Sequence, residues 1–193
     1  MALCARNILQ KSQDATDRTL VINCASSRMS IDIAQEFGGQ CLRSPVGEAN
    51  VVDLMLMNNA LFGGEGNGGP IDPRVGLVRD SFVGMANILE AMARNEKSVA
   101  VLAKEIPGYA IVKRKRPLAP ELLPTVLNAL QEKYSDLECN RQDGLRIDWP
   151  NAWVLIRASN TEPVIRIIAE AGSENAANEL CDAVEVIIKD LEK

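Results

Sequence analysis

Residues 19–25 read TLVINCA, a nearly continuous apolar run with β-branched residues, which is the pattern of a parallel strand buried on both faces. Residues 28–37 place apolar side chains on one helical face, and a Gly-Gly pair ends that helix. Residues 40–44 predict a second strand, and a helix over 49–59 leads to a third strand over 60–63. Strand–helix order repeated within about 75 residues predicts an α/β layer with a parallel sheet.

The pattern changes between Pro107 and Pro120. Before this break lies a long helix over residues 80–95; the elements predicted after it are helices over 121–134 and 174–191 and strands over 144–149, 153–157 and 164–171. The sequence thus predicts an α/β fold, a parallel or mixed sheet with flanking helices, followed by a small α+β domain. The predicted bounds are 1–107, with 1–17 as the tail of a preceding domain, then a linker over 108–120 and a second domain over 121–193.

Three further features have ordinary structural interpretations. The basic run at residues 113–116 is expected to be a solvated connector rather than a nuclear localisation signal. The methionines of the two helices in the first domain are expected to fill its core; they are Met55, Met57, Met85 and Met92. Ser173 is expected to cap the last helix.

Composition excludes several classes of function. The chain of 193 residues has no histidine, so it has no Ser-His-Asp triad, Cys-His pair or His-ligated metal. The net charge is −5 and neither half is basic, so no nucleic-acid partner is expected. No apolar run is long enough for a membrane span, and no signal segment is evident. The five cysteines are odd in number and widely spaced, which favours reduced thiols in the cytoplasm.

A glycine-rich loop follows the third predicted strand. Residues 63–70 read GGEGNGGP and contain the pattern GxGxxG, but residues 70–73 (PIDP) stand where a dinucleotide-binding helix would begin, so that interpretation is weak. Glu65 and Asn67 alternate along this loop and could point the same way, as a carboxylate and an amide that grip sugar hydroxyls. A flexible turn with one solvated glutamate is the alternative. The place of the loop, at the carboxyl end of a parallel strand, favours a ligand site.

A second polar loop joins two predicted strands. Residues 157–166 read RASNTEPVIR, three consecutive donor-bearing side chains with an arginine at each end. Hydroxyls, an amide and two guanidinium groups are suited to binding a phosphate. The alternative is a polar hairpin turn whose arginines pair with Glu162 or Glu170.

Both loops resemble those of the α-D-phosphohexomutases, the family of phosphoglucomutase, phosphomannomutase and phosphoglucosamine mutase. Residues 63–69 are similar to the sugar-binding loop of the family's third domain, and residues 157–166, continuing to 171, to the phosphate-binding loop of its fourth. Residues 43–48 (RSPVGE) resemble the turn before a helix of the third domain. The resemblance covers nearly the whole chain from Thr19, and the glycine loop favours a phosphoglucosamine mutase-like member.

The resemblance implies roles for individual residues. Asn67 replaces the family's commoner serine, and Gly69 and Glu48 stand where members often have histidine, which leaves the sugar open. Residues implied to bind the sugar are Glu65 and Asn67 with Gly64, Gly66 and Gly68, and Glu48 and Arg43 are further candidates. Residues implied to bind the phosphate are Arg157, Ser159, Asn160 and Thr161, supported by Arg166.

The resemblance also implies which parts of the mutase reaction lie elsewhere. The family uses a phosphoserine in a Ser-His-Asn loop and an Asp-rich Mg²⁺ loop, and neither pattern occurs in this sequence. We therefore expect the C-terminal half of a phosphohexomutase, with no catalytic residue or cofactor of its own. Hexose phosphate and the N-terminal domains of the same polypeptide are the expected partners, with Mg²⁺ in those domains. A stand-alone, non-catalytic sugar-phosphate-binding or regulatory module is the alternative.

Overall fold

Strand β1 (Thr19–Asn23) lies at the centre of the first sheet, and all five of its residues are buried. It pairs in parallel with β2 (Gln40–Ser44) on one side and with β3 (Phe62–Gly64) on the other. A short strand β4 (Pro70–Ile71) adds to β3 in antiparallel orientation and gives the order β2-β1-β3-β4. The carboxyl ends of three parallel strands therefore meet at one edge of the sheet, where α/β folds place ligands.

The computed structural model describes residues 1–12, 18–159 and 162–192 of the chain. It divides into two units, Met1–Gly108 and Tyr109–Lys193. The helices of the first unit are α1 (Ala2–Lys11), α2 (Met29–Glu36), α3 (Glu48–Met57), α4 (Ser81–Asn95) and α5 (Val99–Lys104). The α/β fold predicted for this region is confirmed.

Helices cover both faces of the first sheet. Leu20 of β1 packs in a cluster with residues of α1 and α2, whereas the next residue, Val21, packs with α3 on the opposite face. Such alternation is expected of a strand, because successive side chains point to opposite faces. Residues 1–17 were expected to be the tail of a preceding domain, but Ile8 and Leu9 of α1 are fully buried in the first cluster. Helix α1 is therefore part of this unit.

The second unit is an antiparallel sheet with two helices on one face. Its strands are β5 (Ala110–Pro117), β6 (Glu138–Asn140), β7 (Leu145–Trp149), β8 (Ala152–Ala158) and β9 (Val164–Ala171), in the order β5-β9-β8-β7-β6. Its helices are α6 (Leu123–Lys133), which follows a 3-10 turn, and α7 (Glu174–Leu191). Val126 and Val184 from these helices pack on Ile156 and Ile167 of the sheet in a single core. Ser173 caps α7 as predicted, by accepting a hydrogen bond from the Ala176 N–H.

The predicted linker over 108–120 contains an edge strand, because β5 pairs with β9 over eight residues. The basic run lies within this strand. Arg114 and Arg116 point toward α7, where Arg114 pairs with Asp182 and Glu185, so alternate cations are neutralised by a helix of their own unit. Strands β4 and β6 and helix α5 were not predicted, since each has at most six residues and too little periodicity to be recognised.

Two of the four methionines expected in the core are on the surface. Met57 and Met85 are 77% and 55% exposed, whereas Met55 is buried at 2%. The apolar stripe of α4 likewise turns outward at Phe82 and Leu89, because α4 packs through smaller residues that include Val83 and Ala91. No helix in the described part of the chain combines the length and apolar character needed to cross a membrane.

Candidate functional site

The glycine-rich loop forms the connection between β3 and β4 at the carboxyl edge of the first sheet. The Glu65 N–H donates to the Gly69 carbonyl, and the Gly68 N–H donates back to the Glu65 carbonyl, so the loop closes on itself. Gly64 has φ +152°, and a Cβ there would lie 2.4 Å from the Gly69 oxygen. Only glycine allows this turn without displacing the opposite side of the loop.

Glu65 is buried within this loop and its carboxylate is held from three directions. Asn23 at the end of β1 donates from Nδ2 to Oε1 at 2.9 Å, and the Gly47 N–H donates to the same oxygen at 3.2 Å. Arg79 Nη1 lies 3.0 Å from the other oxygen, Oε2. The side chain is only 7% exposed, so an ionised carboxylate requires these partners to offset its lost hydration.

Asn67, the other polar side chain of the loop, has different surroundings. It is exposed, and its Oδ1 accepts a hydrogen bond from the Gly69 N–H at 3.2 Å. Its side chain thus stabilises the turn through oxygen, while its Nδ2 remains a donor on the surface. Glu65 and Asn67 were expected to present their groups together, but one is buried and the other is exposed.

The two further candidates lie on neighbouring elements. Glu48 is the first residue of α3, and its Oε2 accepts a hydrogen bond from Arg79 Nε at 2.5 Å, so Arg79 joins it to Glu65. Arg43 is half-buried on the outer strand β2, in register with Ile22 of β1.

Two residues that position Glu65 were missed from the sequence. Asn23 ends the buried apolar strand, where a lone amide is a recognisable signal for a polar group at the ligand edge. Arg79 lies fourteen positions beyond Glu65 and precedes α4, and no local pattern connects the two.

The second loop connects β8 to β9 in the antiparallel unit. The Ser159 N–H donates to the Val164 carbonyl at 2.8 Å and closes the hairpin. Arg157 and Arg166 lie directly opposite each other on the two strands, and Arg166 Nη2 is 3.4 Å from Ser159 Oγ. Three predicted phosphate-binding residues are thus brought together. The other two, Asn160 and Thr161, lie outside the described residues.

Arg157 is a buried cation that pairs with a residue of a preceding turn. It is 6% exposed, and its Nε donates to Asp143 Oδ1 at 2.9 Å. Gly144, with φ +80°, makes this approach feasible, because a Cβ there would lie 2.1 Å from the Ile156 carbonyl oxygen. Asp143 and Gly144 were not expected in the site, since their place depends on the pairing of β7 with β8.

A third cation extends the pair of arginines across the sheet. Lys115 of β5 is in register with Arg166, so Lys115, Arg166 and Arg157 form a row on three adjacent strands, which we call the cationic row. Lys115 Nζ pairs with Glu162 Oε2 of the loop at 2.8 Å. This hydrogen bond holds the pKa of the Glu162 carboxyl below its ordinary value. In the alternative interpretation of this loop, its arginines pair with Glu162 or Glu170; in the structure Glu162 accepts from Lys115 and Glu170 accepts from the Trp153 indole N–H.

The described residues do not fit a magnesium site. Nowhere in the described ranges do three cysteine, aspartate or glutamate side chains cluster in a way that could hold a metal ion. All five cysteines are free thiols. The two loops present hydrogen-bonding groups and charged side chains.

Comparison with known families accounts for both units. The family model described as phosphoglucomutase/phosphomannomutase, alpha/beta/alpha domain III, matches residues 1–109. The model described as phosphoglucomutase/phosphomannomutase, C-terminal domain, matches residues 109–186. The chain belongs to the phosphoglucomutase/phosphomannomutase family, which confirms the resemblance of its two loops.

Individual relatives match nearly the whole chain. A probable phosphoglucosamine mutase of Methanopyrus kandleri is 32% identical over 193 residues, covering 98% of this chain and 42% of that protein. A phosphoglucomutase/phosphomannomutase of Thermococcus kodakarensis is 39% identical over 176 residues, covering 90% of this chain and 38% of that protein. The chain thus spans about two-fifths of the length of the curated relatives that it matches.

Solved structures support the fold. The crystal structure of a phosphoglucomutase/phosphomannomutase family protein from Burkholderia thailandensis matches with a TM-score of 0.77 at 23% identity, covering 97% of this chain and 42% of that one. The N-acetylphosphoglucosamine mutase of Aspergillus fumigatus matches with a TM-score of 0.68 at 16% identity, covering 100% of this chain and 43% of that one. At these identities the structures support the architecture alone.

Proposed function

We propose that this chain supplies the substrate-recognition part of a phosphohexomutase. The glycine-rich loop with Glu65 and Asn67 binds sugar hydroxyls, and the loop from Arg157 to Arg166 binds the substrate phosphate. Membership of a mutase family supports this function, and the relatives named as mutases provide the class of substrate.

The observation that carries the proposal is the cationic row beneath the second loop. Like charges directly opposite each other on adjacent strands destabilise a sheet, and this sheet places three cations side by side. Asp143 and Glu162 offset part of the repulsion. A bound phosphate dianion would offset the remainder, since each charge-assisted hydrogen bond contributes about 1.5–3 kcal/mol. The Ser159 hydroxyl next to Arg166 adds a neutral donor, and we include Asn160 and Thr161 on the family resemblance.

The sugar-binding role rests on the burial of Glu65. A carboxylate with two oxygens can accept more hydrogen bonds than the three that Asn23, Gly47 and Arg79 supply. Sugar hydroxyls are donors, and a fixed carboxylate selects those that lie at the right distance. The exposed Nδ2 of Asn67 offers a complementary donor at the tip of the loop.

In this proposal the chain recognises substrate but does not transfer phosphate. Glu65 orients the hexose, and the second loop holds the phosphate that is not reacting, so that either end of the substrate can face the phosphoserine. We place that phosphoserine and the Mg²⁺ in N-terminal domains of the same polypeptide, as the family's mechanism requires. We also propose a cytoplasmic location, because five free thiols are typical of a reducing compartment.

Titration of the ¹⁵N-labelled chain followed by NMR tests the proposal. Inorganic phosphate should shift the amide signals of Arg157 and Ser159, whereas glucose 6-phosphate and glucosamine 6-phosphate should also shift those of Gly64, Glu65 and Gly68. Unmoved Ser159 signals would contradict the phosphate site, and identical shifts with phosphate and hexose phosphates would contradict the sugar site. Mutase turnover by the purified chain alone would show that recognition is not its whole activity.

A further inference from the structure

Arg79 joins two carboxylates at the ligand edge of the first sheet. Its Nη1 lies 3.0 Å from Glu65 Oε2, and its Nε donates to Glu48 Oε2 at 2.5 Å. The two carboxylates come from different elements, the β3–β4 loop and the first turn of α3. One guanidinium therefore fixes the loop to the helix and offsets the repulsion between two like charges.

The backbone holds Arg79 in this place. The N–H of the next residue, Asp80, donates to the Pro70 carbonyl at 2.9 Å, and the Asp80 side chain caps α4 by accepting from the N–H groups of Phe82 and Val83. Arg79 is thus attached both to β4 and to the start of a helix. Its position is set by the fold rather than by the two carboxylates.

Gly69 leaves the space that the arginine stem occupies. A Cβ at Gly69 would lie 2.6 Å from Arg79 Cδ, closer than real contacts allow, and a tight 3.0 Å from its Cγ. Gly69 and Glu48 are the two positions at which this chain lacks a histidine that the resemblance would lead one to expect. Both departures meet at Arg79, since one makes room for its stem and the other binds its head.

We propose that Arg79 is a positioning residue of the sugar site, which holds the Glu65 carboxylate in the orientation that accepts sugar hydroxyls. This inference rests on the proposed function. With Oε1 bound by Asn23 and Gly47 and Oε2 bound by Arg79, the carboxylate cannot rotate freely, so little conformational entropy is lost when a hydroxyl binds. Without Arg79, one side of the carboxylate would be unrestrained and buried beside Glu48.

The test compares affinities of the chain for glucose 6-phosphate and for inorganic phosphate. In Arg79→Gln we expect hexose-phosphate affinity to fall about tenfold, toward that for inorganic phosphate, while phosphate affinity is unchanged. Arg79→Lys should recover part of the loss, because lysine keeps the charge but cannot bridge two carboxylates with a planar fork. The double variant Arg79→Gln/Glu65→Gln should bind no more weakly than Glu65→Gln alone, since Arg79 acts through Glu65.

Arg94→Gln is the matched control. Arg94 lies on α4, which Arg79 precedes, and is likewise paired with a glutamate, at a similar side-chain exposure of 34% against 39% for Arg79. It should leave both affinities unchanged, and thermal melting of every variant checks the fold. If Arg79→Gln lowers melting strongly, Arg79→Lys and the double variant become the deciding measurements.

The possible failures are distinguishable. Unchanged hexose-phosphate affinity in Arg79→Gln, with a clear loss in Glu65→Gln, would overturn the role of Arg79 and leave the proposed function intact. Additive losses in the double variant would show a general structural role and would also overturn it. If Glu65→Gln itself has no effect on hexose-phosphate affinity, the sugar-binding part of the proposed function fails.

Discussion

Arg166 is the central cation of the row on the second sheet, with Lys115 on one side and Arg157 on the other. Arg166→Gln removes the guanidinium that lies 3.4 Å from the Ser159 hydroxyl while keeping a side chain of similar length. We predict that this change weakens binding of inorganic phosphate by roughly tenfold or more, because a charge-assisted hydrogen bond contributes about 1.5–3 kcal/mol. Isothermal titration calorimetry or the NMR titration measures the loss.

Arg141→Gln provides the control for that prediction. Arg141 is an exposed arginine of the same unit whose side chain donates to Gln131 and Asn128 of α6 and not to a residue of the cationic row. Its removal takes the same single positive charge from the unit. Equal losses in the two variants would indicate non-specific attraction of an anion and would contradict a built phosphate site.

Two glycines of the glycine-rich loop allow a paired test of its backbone. Gly64 and Gly68 both have positive φ, at +152° and +93°. A Cβ added at Gly64 would have neighbours within 4 Å, whereas one added at Gly68 would have none among the described residues. Gly68→Ala should cost about 1–3 kcal/mol of unfolding free energy from backbone strain alone. Gly64→Ala should cost about 1–3 kcal/mol more, because the new methyl group meets the Gly69 oxygen.

Urea denaturation at one pH gives both free energies. The comparison is internal, since both glycines lie in one loop with positive φ and only the carbon added at Gly64 has close neighbours. Equal costs would show that the loop relaxes around Gly64 and that the close approach across its base is not needed for the fold.

The residues of each loop could be predicted from the sequence because they are consecutive. RASNTEPVIR and GGEGNGG carry their donors and their glycines within ten positions. The partners that hold these side chains could not be predicted, because each comes from another element. Asn23 reaches Glu65 only when β1 pairs with β3, and Lys115 reaches Arg166 only when β5 pairs with β9. Strand register decides both contacts, and no local pattern encodes it.

In helix α3 the apolar pattern of the sequence predicts the helix but not which of its methionines is buried. The helix forms where the sequence predicts it. Met55 is buried against β1 and β3, whereas Met57 is exposed. We predict that Met55→Ala lowers the unfolding free energy by about 2–5 kcal/mol through cavity formation. Met57→Ala should change it by no more than about 0.5 kcal/mol.

The methionine pair is a matched control in itself, because residue type, helix and substitution are shared. Denaturation followed by circular dichroism measures both variants. A large loss in Met57→Ala would mean that the end of α3 is covered in solution, and a small loss in Met55→Ala would mean that the core relaxes around the cavity.

Strand β5 is hard to predict from the sequence because of its charge. Four consecutive basic residues are typical of a solvated connector. In the structure, alternate side chains go to opposite faces, so that Arg114 and Arg116 meet acidic residues of α7 while Lys113 and Lys115 stay on the other face. Neutralisation by a helix some 70 residues later in the chain makes the strand stable, and that helix cannot be paired with the run from sequence alone.

At the scale of the whole chain, the proposed function divides the recognition of a hexose phosphate between the two units. The first carries a buried carboxylate and amides, which suit hydroxyl donors, and the second carries a row of cations, which suits a phosphate. Each unit has a separate hydrophobic core and one of the two candidate loops. A substitution in one loop is therefore expected to alter one half of the recognition, which is why phosphate and hexose phosphate must be compared in every variant.

The absence of histidine predicts how the whole chain responds to pH. No side chain of ordinary pKa titrates between about pH 5.5 and 7.5 in a protein without histidine. Four carboxyls among the described residues have pKa values held below the ordinary range by hydrogen bonds from cations: Asp72 by Arg74, Glu90 by Lys11, Glu105 by Lys97 and Glu162 by Lys115. Burial raises the pKa of the Cys181 thiol to about 11, which keeps it protonated at neutral pH.

The lowered carboxyl pKa values determine how the unfolding free energy depends on pH. A carboxyl whose pKa is lower in the folded chain stabilises the fold above its unfolded value and loses that contribution as the pH falls through its folded value. We therefore predict a flat unfolding free energy from about pH 5.5 to 7.5 and a decline below about pH 4.5. Urea denaturation across this range measures it, and a step near pH 6.5 would contradict the prediction.

Ligand affinity should follow a different course, because the ligand itself titrates. A phosphate monoester has a second pKa of about 6, so its binding to the cationic row should strengthen as the pH rises from 5.5 to 7. Sulfate remains a dianion across that range and serves as the control, with an affinity that stays constant. If both anions bind more tightly with rising pH, a group on the protein must be titrating. If neither changes, the site does not distinguish the dianion of the phosphate from its monoanion, and the three aligned cations would then serve the sheet rather than the substrate.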